Sequence, residues 1–104
     1  MIEVNGSNFD ELVSTSDKPL ILHFTALWCG PCRMMRPALS ELETEYPGVI
    51  FCEVDVDLEP EIAEKWGILS LPTFLLLING KLERKLIGAM PKKRFVSGLS
   101  PWLK

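Results

Sequence analysis

Two cysteines three residues apart, Cys29 and Cys32, stand between an apolar run and a helical pattern. No other feature constrains the fold as tightly. The run Leu20-Ile21-Leu22-His23-Phe24-Thr25 reads as a buried strand. Its apolar residues do not alternate, as befits a central strand covered on both faces. From Cys32 to Tyr46, Met35, Leu39, Leu42 and Tyr46 recur at helical spacing, with charged residues opposite. The cysteines therefore occupy a strand-to-helix junction. Side chains three apart in a first helical turn have Cβ atoms about 5–6 Å apart, close to what a disulfide needs. Such a bond opens and closes with little movement of the fold.

The junction also activates the sulfur. A helix N-terminus favours negative charge by about 0.3–2 kcal/mol, which lowers a thiol pKa by roughly 0.2–1.5 units. Cys29 is thereby moved towards ambient pH, where thiol–disulfide exchange is fastest. Pro31 suits the first turn, where a missing N–H costs nothing, and Gly30 lets the backbone approach a partner. A zinc site would need two more ligands; Cys52 and His23 are the remaining candidates, and each is isolated, so no metal is expected. A structural disulfide across so short a loop does not suit a small chain without a signal peptide. A redox-active pair fits best.

The rest of the chain supplies the scaffold. At 104 residues it is expected to be one domain, 1–104, burying about 60–70% of its unfolded surface. A net charge of −3 offers no footprint for nucleic acid or an anionic membrane. No apolar run reaches the length of a membrane span. Three cysteines, an odd number, argue against a disulfide framework. The N-terminus lacks a secretory pattern, and a cytoplasmic setting is the expectation.

In chain order, residues 1–4 form a short strand, and Ser7 with Asp10 is expected to cap a helix carrying Phe9, Leu12 and Val13 inward. Pro37 removes one helical donor, and a kink is expected there. Val49 to Asp55 is a second strand, parallel to the first run through a helical crossover, with Cys52 a small buried hydrophobe. Pro60 and Gly67 bracket a short helix. Phe74 to Ile78 and Lys81 to Ile87 make a hairpin about Asn79-Gly80, whose second strand carries the charges of a protected edge. A last helix from about Pro91 turns Phe95, Leu99 and Leu103 inward. Gly98 and Pro101 interrupt it.

Trp28-Cys29-Gly30-Pro31-Cys32, Pro37, Leu71-Pro72-Thr73 and Gly88-Ala89, in that order and spacing, resemble the thioredoxin family over essentially the whole chain. The resemblance implies an α/β thioredoxin fold, a central mixed sheet with helices on both faces. It implies a cis peptide before Pro72, with Leu71 offering backbone groups to an extended substrate. It also implies that Trp28, Gly30, Pro31, Leu71, Pro72, Gly88 and Ala89 form an apolar collar for client proteins. The activity implied is protein-disulfide reduction: Cys29, at the exposed helix tip, attacks a client disulfide, and Cys32, one turn inside, resolves the mixed disulfide. Electrons would come from an NADPH-dependent flavoprotein thioredoxin reductase, with no cofactor bound to this chain, which is expected to be monomeric.

Three positions depart from the family pattern. His23 stands where a buried Asp is usual, Glu53 where Lys is frequent, and Ser70 where Gly precedes the proline. Two readings of His23 stand: a core histidine satisfied by one hydrogen bond, or a polar pair with Glu53 beneath the cysteines in which neutral His23 accepts the Cys32 proton. The substitution keeps open a more oxidising oxidoreductase or isomerase. A non-catalytic binding module is the remaining alternative, opposed by the intact cysteine pair.

Overall fold

The computed structural model describes residues 1–15 and 17–103. At its centre lies the strand Leu20–Thr25 (β2), whose six residues are all buried. It pairs in parallel with Ile50–Asp55 (β3) and antiparallel with Thr73–Ile78 (β4). Ile2–Glu3 (β1) joins the outer side of β3 in parallel, and Lys81–Ile87 (β5) closes the other edge antiparallel to β4. The sheet order is β1-β3-β2-β4-β5, a mixed sheet as the resemblance implies.

The strand period sorts the core into two layers. Leu20, Leu22 and Phe24 point one way, with Cys52, Val54, Leu75 and Leu77, and Phe9–Thr15 (α1) and Pro60–Lys65 (α3) cover them. Ile21 points the other way, with Phe51, Phe74 and Leu76, beneath Gly30–Glu45 (α2) and Lys92–Gly98 (α4). Because β2 lies under helices on both faces, polar–apolar alternation would leave polar groups buried on one of them. The non-alternating run follows from that constraint.

Local signals place the remaining turns. Asn79 and Gly80 both adopt positive φ, 52° and 77°, as a two-residue hairpin turn requires. Gly67, at φ 64°, ends α3: its N–H donates to the Glu64 carbonyl and that of Ile68 to the Ala63 carbonyl, both at 3.0 Å. This paired closure is a Schellman motif, and it fixes Ile68 against the helix it ends.

One expectation needs correction. The turn into α1 is closed by Asn5, not by Ser7: Asn5 Oδ1 accepts from the N–H groups of Ser7 and Asn8 at 2.8 and 3.0 Å, and Asn8 Oδ1 accepts from Asn5 N–H at 2.8 Å. Asn closes such turns at least as well as Ser, and here two amides three apart serve each other. The helix after the cysteines runs from Gly30 to Glu45, with Pro31 in its first turn as expected and Pro37 inside it. At the C-terminus Phe95, Leu99 and Leu103 are buried as expected, although α4 stops at Gly98 and a cis peptide joins Ser100 to Pro101.

Candidate active site

β2 runs into Ala26 and then into the first turn of α2, so sheet and helix meet at the cysteines. Cys29 is the N-cap of α2 and Pro31 lies in its first turn. The sulfur of Cys29 accepts a hydrogen bond from the backbone N–H of Cys32 at 3.2 Å. A first-turn N–H is otherwise an orphan donor, and a capping atom that accepts from it is stabilised when it becomes anionic. Cys29 and Cys32 are joined in a disulfide with Cα atoms 5.3 Å apart.

Both cysteines are covered: Cys29 is 3% exposed and Cys32 0%. The expectation of an exposed Cys29 tip is therefore corrected. A capping side chain folds back over its own helix, and Ala26, Val56 and Leu71 pack around the pair. Only the order of exposure survives, with Cys29 the outer of the two.

The collar residues are brought together from three loops. Trp28 is 68% exposed, its indole Nε1 donating to Asp57 Oδ2 at 2.8 Å. The Leu71–Pro72 peptide is cis, Pro72 is buried, and Gly88 N–H donates to the Pro72 carbonyl at 2.9 Å. That bond extends the β4–β5 ladder by one rung and sets Gly88, with exposed Ala89 after it, beside the proline. Beside the pair lies an apolar cleft of about 220 Å³, walled by Trp28, Val56, Ala63, Ile68, Leu69 and Leu71. Val56, Ala63, Ile68 and Leu69 were not singled out from sequence. Leu69, 97% exposed, is their visible signal: with Ile68 and Leu71 it makes the loop before Pro72 unusually apolar.

His23 and Glu53 occupy one register position of the parallel β2–β3 pair. Both belong to the face covered by α2, since they alternate with Leu22 and Cys52 of the opposite layer. His23 is 1% exposed and stacks on Phe74, ring centroids 4.7 Å apart. Its Nδ1 lies 3.8 Å from Glu53 Oε2, too far for a hydrogen bond. Burial, aided by the nearby Arg36 guanidinium, pushes the imidazole down to about 4, so it is neutral at pH 7. Arg36 on α2 donates to Glu53 Oε1 at 2.8 Å. The polar pair expected from sequence is thus a triad, with Arg36 its unforeseen member. Cys52 lies in the opposite layer, fully buried, its thiol pushed up to about 11 by desolvation. Ser70 is exposed, and its carbonyl accepts from Thr73 Oγ1 at 2.7 Å. Among the described residues no cluster of three or more His, Cys, Asp or Glu could hold a metal ion.

The family model that matches this chain is Thioredoxin, over residues 1–101. The chain belongs to the thioredoxin family. A chloroplastic M-type thioredoxin of Pisum sativum is 48% identical over 90 residues, which are 86% of this chain and 52% of that one. Mitochondrial thioredoxin-3 of Saccharomyces cerevisiae is 45% identical over 87 residues, 84% of this chain and 68% of that one. A crystal structure of the oxidised yeast protein superposes with a TM-score of 0.85 at 38% identity, covering 94% of this chain and 92% of that one. The chain spans about half the length of the chloroplastic relatives it matches. These relatives overturn the cytoplasmic expectation, since they are chloroplastic proteins. Cysteine usage speaks to redox conditions and carries no address.

Proposed function

We propose that the protein is a thioredoxin that reduces disulfides of client proteins by dithiol–disulfide exchange. The observation that carries this is the Cys29 sulfur at the α2 N-cap, bonded to Cys32 and accepting its N–H. In the reduced form Cys29 attacks the client disulfide, forming a mixed disulfide and expelling one client thiolate. Cys32 then attacks Cys29, expels the second, and restores the Cys29–Cys32 bond. Two electrons and two protons pass to the client. Gly30 and Pro31 shape the turn between the sulfurs. Trp28, Leu71, Pro72, Gly88 and Ala89 dock the client around them, with the apolar cleft taking one of its side chains.

His23 takes the Cys32 proton as that sulfur becomes a nucleophile. Its Nδ1 faces a carboxylate and so carries the ring hydrogen, leaving Nε2 as the acceptor. Thiolate formation at the cysteine pair draws the imidazole pKa back up, so proton uptake accompanies reduction. Family membership supports recycling by an NADPH-dependent flavoprotein thioredoxin reductase, and the M-type relatives support a plastid setting. The test supplies NADPH, a thioredoxin reductase and a protein with an accessible disulfide. Catalytic NADPH oxidation that needs this chain is the expected result; none above background would refute the reading.

A further inference from the structure

Arg36, Glu53 and His23 form a graded series from solvent to core. Arg36 is exposed, Glu53 partly buried and His23 sealed. Arg36 occupies only Oε1 of the Glu53 carboxylate. Glu53 Oε2 and both ring nitrogens of His23 are buried without a hydrogen-bond partner among the described residues. A buried polar atom without a partner is costly, and two of these, His23 Nδ1 and Glu53 Oε2, face each other across 3.8 Å, a place where one proton is wanted. A cleft of about 230 Å³ reaches the same carboxylate, its wall made by Ala26 and Leu27 with Arg33, Arg36, Glu53 and Asp55. That volume holds several waters at about 30 Å³ each. Its inner wall, Ala26, packs on both cysteines.

We propose that Glu53 is the port through which protons pass between this cleft and His23, and that Arg36 is the positioning residue that aims Glu53 at the imidazole. The proposal rests on His23 serving Cys32, and extends it outward. The transfer balances in both directions. Cys32 gives its proton to His23 Nε2 and attacks Cys29; His23 passes the Nδ1 proton to Glu53 Oε2; Glu53 returns it to water in the cleft. The departing client thiolate takes a proton from solvent. A small pivot of the carboxylate about its Arg36-held oxygen closes the 3.8 Å gap to hydrogen-bond length. The clamp on Oε1 keeps the carboxylate from swinging into the cleft.

The charged groups facing this site are Arg36 and Arg33 from α2, Asp55 from β3, Glu59 before α3, and Glu3 from β1, paired with Glu53 in register. Phe74 of β4, stacked on the ring, is uncharged.

The experiment mixes reduced protein with excess labelled client disulfide in a stopped-flow instrument from pH 5 to 9. Attack by Cys29 is the first phase and client release by Cys32 the second. The full chain is used with His23→Gln, Glu53→Gln, Arg36→Gln and Arg36→Lys. His23, the single histidine, is followed by NMR in each variant. The first phase reports in the same trace whether each variant is folded. Glu53→Gln and Arg36→Gln are expected to slow release by about tenfold or more at pH 7, below the 10²–10⁴ of a full general base. Arg36→Lys restores most of the rate. Arg36→Gln also raises the His23 titration midpoint, since it removes the guanidinium that helps depress it. If His23→Gln slows release while Glu53→Gln and Arg36→Gln match wild type, the port is refuted and the role of His23 stands. If His23→Gln leaves release unchanged, both are refuted.

Discussion

His23 Nδ1 and Glu53 Oε2 face each other across 3.8 Å at one register position of two parallel strands, with no hydrogen bond between them. A neutral imidazole beside a carboxylate that a third residue holds is a proton site left open. Several consequences are measurable.

The first concerns stability against pH. The folded-state pKa of His23 is depressed from 6.5 to about 4. Between those values the unfolded chain binds the proton and the folded chain does not. The stability associated with the neutral ring is therefore complete above pH 6.5 and is lost as pH falls to about 4. The slope is about 1.4 kcal/mol per pH unit, or about 3 kcal/mol in all. Urea unfolding of wild type and His23→Gln between pH 7 and 4 checks this. Wild type should lose that much relative to the variant, and parallel pH profiles would contradict it.

Much of the scaffold is legible in the sequence because its signals are local. The bounds of β2, the turn at Asn79-Gly80, and Pro60 and Gly67 about α3 all rest on residues within a few positions of one another. The site is legible only where chemistry is carried by spacing, as at Cys29 and Cys32. Arg36 meets Glu53 from 17 residues away, and only the packing of α2 over the sheet brings them together. The same limit hides the cleft walls Val56, Ala63 and Ile68, which come from different elements. Cys29 is covered because its side chain caps its own helix, a choice between two orientations that spacing does not make. The compartment leaves no physical trace in a folded core.

The second consequence concerns redox poise. An ionised carboxylate at position 23 opposes a thiolate at the cysteine pair, whereas a neutral imidazole does not. His23→Asp should therefore raise the thiolate titration midpoint and destabilise the reduced form. The couple becomes more reducing, by about 30 mV for each 1.4 kcal/mol. The shift should grow with pH as the new carboxyl ionises against Glu53. Thiolate absorbance and redox equilibration with glutathione measure the two quantities, and unchanged values in both would make His23 a core filler.

The third concerns the apolar cleft, whose wall depends on how α3 ends. Gly67 holds φ 64° with open space about its missing Cβ, so a side chain there meets backbone strain and no steric clash. Gly67→Ala should cost about 1–2 kcal/mol of stability. By loosening Ile68 it should raise KM for a protein client more than for a small aromatic disulfide, which has no segment to lay in the cleft. Thermal unfolding and paired kinetics test it, and equal effects on both substrates would separate the cleft from client docking.

The central claim is the division of labour between the two cysteines, and trapping tests it most directly. Cys32→Ser is incubated in reduced form with a protein containing one accessible disulfide, and the product is mapped by mass spectrometry. The account predicts a stable mixed disulfide on Cys29, none on buried Cys52, and no reaction for Cys29→Ser. An adduct on Cys52, or wild-type turnover by Cys29→Ser, would contradict it.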